Sequence, residues 1–206
     1  MKLLILGGTG FLGPQIVEYA LERGHELTLF NRGKTNPQLF PNVEKLQGDR
    51  DPDKGEGLNA LRDRAWDAVI DTSGYVPRIV RASAELLAAT VRQYLFVSTL
   101  SVYANSDQAG LDETAPVATL DDETNEDVSR FYGPLKALCE REVQKAFDER
   151  ATIVRPGLIV GPGDSSDRFT YWPVRIDRGG EVLARSHAMC RCSSSMCAIW
   201  ASGSCA

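Results

Sequence analysis

The chain has 206 residues, 43% of them hydrophobic and 25% charged, with 23 Lys and Arg against 28 Asp and Glu for a net charge of −5. This is enough for one sizeable core; it excludes whole-chain disorder, collagen and coiled coil, and the acidic balance weighs against nucleic acid or an anionic membrane as partner. No apolar run approaches the roughly 20 residues of a membrane span, and Gly7 and Gly8 stop the N-terminal run short of a signal-peptide core, so a cytoplasmic protein is expected.

Residues 2–6 read as a buried strand. Leu12, Ile16, Tyr19 and Ala20 recur at helical spacing and predict a helix over 11–23, with Gly24 in the C-cap place. Residues 26–30 and 43–46 read as the second and third strands, and 58–64 as a short helix. The fourth strand, 68–70, ends at Asp71. Pro77 opens a helix through 91, in the first turn where proline is tolerated. Residues 94–97 form the fifth strand. The acidic stretch 107–127 reads as a surface loop. A long charged helix covers 132–150, and 152–154 is a sixth strand closed by Pro156. Strands alternating with helices predict an α/β fold: a doubly wound parallel sheet of Rossmann type with helices on both faces.

Between the first strand and the first helix stands Gly7-Gly8-Thr9-Gly10-Phe11-Leu12-Gly13. Gly7 serves a tight turn, Gly10 lets backbone approach a pyrophosphate, and Gly13 lets the helix pack close to the sheet. The N–H groups and positive dipole end of that helix then face phosphate. The end of the second strand reads Asn31-Arg32-Gly33-Lys34 and lacks the acid that would accept from a ribose 2′-hydroxyl. Arg32 and Lys34 suit a 2′-phosphate, which favours NADP(H) over NAD, or else they are solvated loop cations.

The G-x-x-G-x-x-G spacing resembles the extended short-chain dehydrogenase/reductase superfamily, the NAD(P)-dependent epimerases and dehydratases, over residues 1–184. The resemblance implies a dinucleotide cofactor held by Gly7, Thr9, Gly10, Phe11, Leu12, Gly13, Asn31 and Arg32. It places Asp49 at the adenine, Thr72 and Ser73 under the cofactor, and Pro156 beside the nicotinamide; Arg50, next to Asp49, is expected among the cofactor-binding residues. Tyr132 and Lys136 form Y-x-x-x-K, one helical turn apart on one face. A free phenol has a pKa near 10, and a nearby ammonium would lower it toward the range of a useful base. By resemblance Lys136 also holds the ribose, and Thr99, in Ser98-Thr99-Leu100-Ser101-Val102-Tyr103, bonds the substrate oxygen. Residues 154–163 resemble the family's segment beside the nicotinamide. Leu100 and Ser101 replace the Asp-Glu of the 4,6-dehydratases, which disfavours dehydration. His25 and His187 lack metal-ligand spacing to another His.

From about residue 185 the texture changes, and Cys190, Cys192, Cys197 and Cys205 crowd the tail. One reading is a Cys-rich metal site with these four as ligands, but their spacing contains no C-x2-C pair of the usual zinc kind. A disordered tail is a second reading. A reading-frame slip is the third: shifted codons from residue 190 decode as Val-Pro-Val-Gln-Phe-Ile-Asp-Val-Arg-Asp-Leu, similar to the family segment that follows the R-P loop. The expected organisation is a dinucleotide-binding domain over 1–184 and an aberrant or disordered tail over 185–206, with the family's C-terminal substrate domain largely missing.

The leading functional expectation is an NAD(P)-dependent oxidoreductase or epimerase-like enzyme acting on a small-molecule substrate, a sugar or sugar nucleotide. The alternatives are a non-catalytic dinucleotide-binding module and, against the charge, an RNA-binding relative. A homodimer is compatible with this reading.

Overall fold

The computed structural model describes residues 1–105 and 110–181 in full, and the backbone of 194–196. Six parallel strands form the main sheet: β1 (Lys2–Leu6), β2 (Glu26–Asn31), β3 (Glu44–Gln47), β4 (Trp66–Asp71), β5 (Val91–Val97) and β6 (Ala151–Val154). Their spatial order is β3-β2-β1-β4-β5-β6, so chain direction across the sheet reverses between β1 and β4. Crevices for ligands open beside such a switch, at the carboxyl ends of the strands.

Alternation in β1 shows why both faces are covered. Leu4 and Leu6 enter one core with Val69, Val80, Leu87, Phe96 and Val143. Leu3 and Ile5 enter the other with Leu12, Ile16, Val17 and Ala20. Helix α1 (Gly13–Glu22) covers the second face, while α2 (Pro77–Leu87) and α3 (Val128–Phe147) cover the first. Burial on both faces explains the nearly continuous apolar runs of these strands. A separate parallel pair joins β7 (Leu158–Val160) to β8 (Ser194–Met196), and α4 (Tyr171–Asp177) lies beyond β7.

Several boundaries differ from expectation. The second helix ends at Leu87, not 91: the Thr90 N–H turns back to Leu87 O, and Thr90 O accepts from Trp66 N–H at the start of β4, so Val91 already pairs with Trp66. The region 58–64 forms a 3-10 turn over Gly57–Leu61. The long helix begins at Val128, capped by Asp127, whose carboxylate accepts the Ser129 and Arg130 N–H groups. Phe131 then breaks the helical backbone (φ −122°, ψ 33°), so regular winding starts at Tyr132 and Pro134 falls in its first turn. The boundary near 185, the four tail cysteines and His187 lie outside the described residues.

Candidate functional site

The motif residues gather at the carboxyl ends of β1, β2, β4 and β5. Two cavities there, of about 350 and 320 Å³, share Gly7, Gly10, Ser73 and Tyr75 and so form one groove. A larger cavity of about 590 Å³ opens at the opposite ends of the strands, between Lys2, His25, Glu44 and Arg64. It holds none of the motif residues, and the chemistry assigns the site to the groove.

At its centre the glycine loop leads into α1. Leu12, the N-cap, offers no side-chain bond to the first amides, which leaves them available to a ligand. A Cβ on Gly10 would meet nothing within 4 Å, and the space there belongs to the groove. A Cβ on Gly13 would lie 2.5 Å from the Gly8 carbonyl carbon. The third glycine therefore lets the helix start close on the loop itself. Asn31 fastens this loop to β2: its Nδ2 donates to Gly7 O at 2.9 Å and its Oδ1 accepts from Gly33 N–H at 2.8 Å. Thr72 and Ser73 donate their hydroxyls to Leu6 O at 3.0 and 3.1 Å. These three side chains shape the loop, and their polar atoms are already engaged. Thr9, Arg32, Gly33, Lys34 and Asp49 border the outer end of the groove. Arg32 and Lys34 are exposed and form no ion pair among the described residues.

Arg50 corrects an expectation. It borders the groove, but its guanidinium turns inward onto the fully buried Asp71 in a bidentate pair. Burial alone would raise the Asp71 carboxyl, yet the Arg50 charge and hydrogen bonds hold it below the usual carboxylate range. Ser83 and Tyr94 engage the same guanidinium, so its hydrogen bonds run to the interior.

At the inner end stand Thr99, Tyr132 and Lys136. Gly133 brings α3 against the segment after β5, since a Cβ there would lie 2.2 Å from Ser101 O. Thr99 Oγ1 accepts the Ser101 N–H and donates to Ser101 Oγ, both at 3.2 Å. Burial raises the Tyr132 phenol above its ordinary value, and the nearby Thr99 hydroxyl works against that shift. Lys136 is 2% exposed. Its Nζ donates to Gly74 O and Val97 O, both at 2.7 Å, and lies 3.9 Å from the Phe96 ring centre. Burial pulls the ammonium down to about 8. The expected lowering of the phenol by Lys136 does not occur in this arrangement: the phenol's shift is upward, and Lys136 is not among its causes. The ammonium is turned to carbonyls instead.

Two neighbours escaped sequence reasoning. Tyr75 lines both cavities, its ring centre 6.4 Å from that of Tyr132. Ser98 is buried beside the groove with an unpartnered Oγ. An orphaned hydroxyl, free α1 amides and open space at Gly10 together fit a dinucleotide lying along the groove.

The model of the NAD dependent epimerase/dehydratase family matches residues 3–186. A 2-alkyl-3-oxoalkanoate reductase of Stenotrophomonas maltophilia is 31% identical over 183 residues, covering 80% of this chain and 52% of that protein. The chloroplast stem-loop binding protein of 41 kDa b of Arabidopsis thaliana is 27% identical over 178 residues, 78% of this chain and 43% of that protein. Among solved structures, the UDP-glucose 4-epimerase of Thermus thermophilus in complex with NAD superposes with a TM-score of 0.72 at 19% identity, covering 100% of this chain and 73% of that one. The chain spans about half the length of these two curated relatives.

Proposed function

The chain belongs to the NAD-dependent epimerase/dehydratase family, a family of enzymes, and on that footing we propose that it binds NADP(H) along the groove and serves an oxidoreductase or epimerase-like reaction on a sugar or sugar-nucleotide substrate. The observation that carries this reading is the joining, in one groove, of an uncapped helix N-terminus to Tyr132 and Lys136. The α1 amides take the pyrophosphate, Arg32 and Lys34 pair with a 2′-phosphate, and Asp49 borders the adenine. The nicotinamide supplies hydride chemistry at its C4. Thr99 orients the substrate oxygen, Tyr132 moves a proton at that oxygen, and Lys136 holds the ribose. Among the described residues no helix is long and apolar enough to cross a membrane.

Calorimetric titration with NADPH and NADH tests this. NADPH is expected to bind more tightly, and Arg32→Ala to weaken NADPH by roughly five- to tenfold while leaving NADH nearly unchanged. Tighter binding of NADH by the parent chain would refute the Arg32 argument, and binding of neither would refute the site. RNA binding is a second reading, favoured by the likeness to the stem-loop binding protein. The net charge of −5 weighs against it. A gel-shift titration with a stem-loop RNA separates the two.

A further inference from the structure

Two arginines span the outer, adenosine-side end of the groove. One wall of that end is the segment 48–51 after β3, and the facing wall is Tyr75, Val76 and Ile79, running into α2. Arg50 crosses between them in the interior. Its Nη1 and Nη2 donate to the two Asp71 oxygens at 2.8 and 2.6 Å, and its Nε donates to Ser83 Oγ on α2 at 2.8 Å. Tyr94 Oη donates to Asp71 at 2.7 Å and accepts from Arg50 at 3.2 Å. The Ser73 N–H donates to Asp71 Oδ1 at 3.0 Å, which ties the assembly to the facing wall at its base.

Arg78 crosses in the opposite direction at the rim. From α2 its Nη1 donates to Asp51 Oδ1 at 2.8 Å and lies 3.0 Å from Asp53. Its Nε is anchored to Glu126 at 2.9 Å. The Arg78 hydrogen bond holds the Asp51 carboxyl down at about 2, so this tie persists across the whole neutral range.

The same two walls are thus joined twice, at different depths, by guanidinium groups from opposite sides. A buried ion pair is weak grounds for stability, because apolar packing of equal volume would serve as well. A planar fork on a carboxylate does something apolar packing does not: it fixes distance and orientation. We infer that Arg50 and Arg78 form a two-tier clasp that sets the width of this end of the groove, and that both are positioning residues for the adenosine half of a dinucleotide. The inference rests on the dinucleotide reading above.

The test uses the 206-residue chain and two variants, Arg78→Ala and Arg50→Lys. Each is titrated calorimetrically with NADPH and with adenosine 2′,5′-bisphosphate, which fills only the adenosine half. Circular dichroism melting fixes a working temperature well below each transition. Arg78→Ala is expected to weaken both ligands by the same factor, roughly two- to fivefold, as suits a partly exposed pair. Arg50→Lys keeps the charge and loses the fork, and is expected to weaken both by roughly tenfold. Equal factors mark a loss confined to the adenosine half. A merely structural role lowers the melting temperature and leaves both affinities unchanged in the folded chain. Unchanged affinity for adenosine 2′,5′-bisphosphate in Arg78→Ala, or a loss for NADPH alone, overturns the inference. If Arg50→Lys fails to fold, Arg78→Ala decides by itself. A parent chain that binds neither of these ligands, nor NADH, overturns the dinucleotide reading and the clasp with it. A parent that binds both, with variants that match it, overturns the clasp alone.

Discussion

Gly10 and Gly13 stand three residues apart in one loop, and the structure assigns them opposite liabilities. Gly10 has no positive φ, and a Cβ there meets nothing within 4 Å. Gly10→Val therefore leaves the fold intact, with a stability change of about 0.5 kcal/mol or less. The branched side chain instead fills the place where a pyrophosphate approaches the α1 amides. Loss of one charge-assisted bond costs about 1.5–3 kcal/mol, so affinity for NADPH should fall roughly 10- to 150-fold. At Gly13 a Cβ would lie 2.5 Å from one Gly8 backbone atom and 2.6 Å from another, and backbone yields little. Gly13→Ala should therefore cost about 1–3 kcal/mol as overpacking, a fall of roughly 2–12 °C in melting temperature for a chain of this size. Calorimetric titration and thermal melting of the two variants, side by side, separate the effects. A Gly10→Val chain that binds NADPH as the parent does, or a Gly13→Ala chain that melts with the parent, would refute this reasoning.

Two further variants probe the inner end. Tyr132→Phe removes only the phenolic oxygen from a side chain that is 37% exposed; cofactor affinity and melting temperature should stay near those of the parent, while any turnover of a carbonyl or hydroxyl substrate is lost, and a tenfold fall in affinity would count against the assignment. Gly133→Ala forces a Cβ to within 2.2 Å of Ser101 O, which should lower the melting temperature and, by parting Thr99 from Tyr132, push the phenol's titration further up, as followed by ultraviolet difference spectra.

The strands and the glycine loop were legible because their signals are local. Residues 2–6 are apolar without interruption, and the loop follows at once. What sequence reasoning missed depends on distant partners. Arg50 sits beside an expected adenine contact, and only the sheet order brings Asp71, 21 residues on, within reach of its guanidinium. The end of α2 was hidden because Ala88 and Ala89 are strong helix formers; the pull of β5 into the sheet overrides them. The start of α3 was hidden because Asp127 looked like the last acid of a polar loop, although it caps the helix. In β8 the letters Ser194, Ser195 and Met196 carry little strand preference.

Lys136, at the inner end of the groove, ties ligand binding to pH. An ammonium has three donors, and two of them are taken by Gly74 O and Val97 O. The ammonium also lies against the Phe96 ring, and the side chain borders the groove. Burial without a carboxylate partner holds its pKa at about 8, against about 10.4 for a free lysine. Between those values the folded chain has shed the proton and the unfolded chain keeps it. Stability should therefore rise with pH across that window, and the penalty of a buried cation is fully present below it. A dinucleotide brings oxygen acceptors and negative charge to the groove, and both favour the ammonium. Binding at about pH 8.5, where a 2′-phosphate is already fully ionised, should then draw in a proton at Lys136, and the uptake should shrink toward neutral pH as the free ammonium becomes charged. Calorimetry in two buffers of different ionisation enthalpy reads this directly: the apparent enthalpies should diverge at pH 8.5 and by less at about pH 7. Lys136→Met should abolish the divergence. Equal enthalpies at pH 8.5 for the parent chain would show that the ammonium never meets the ligand.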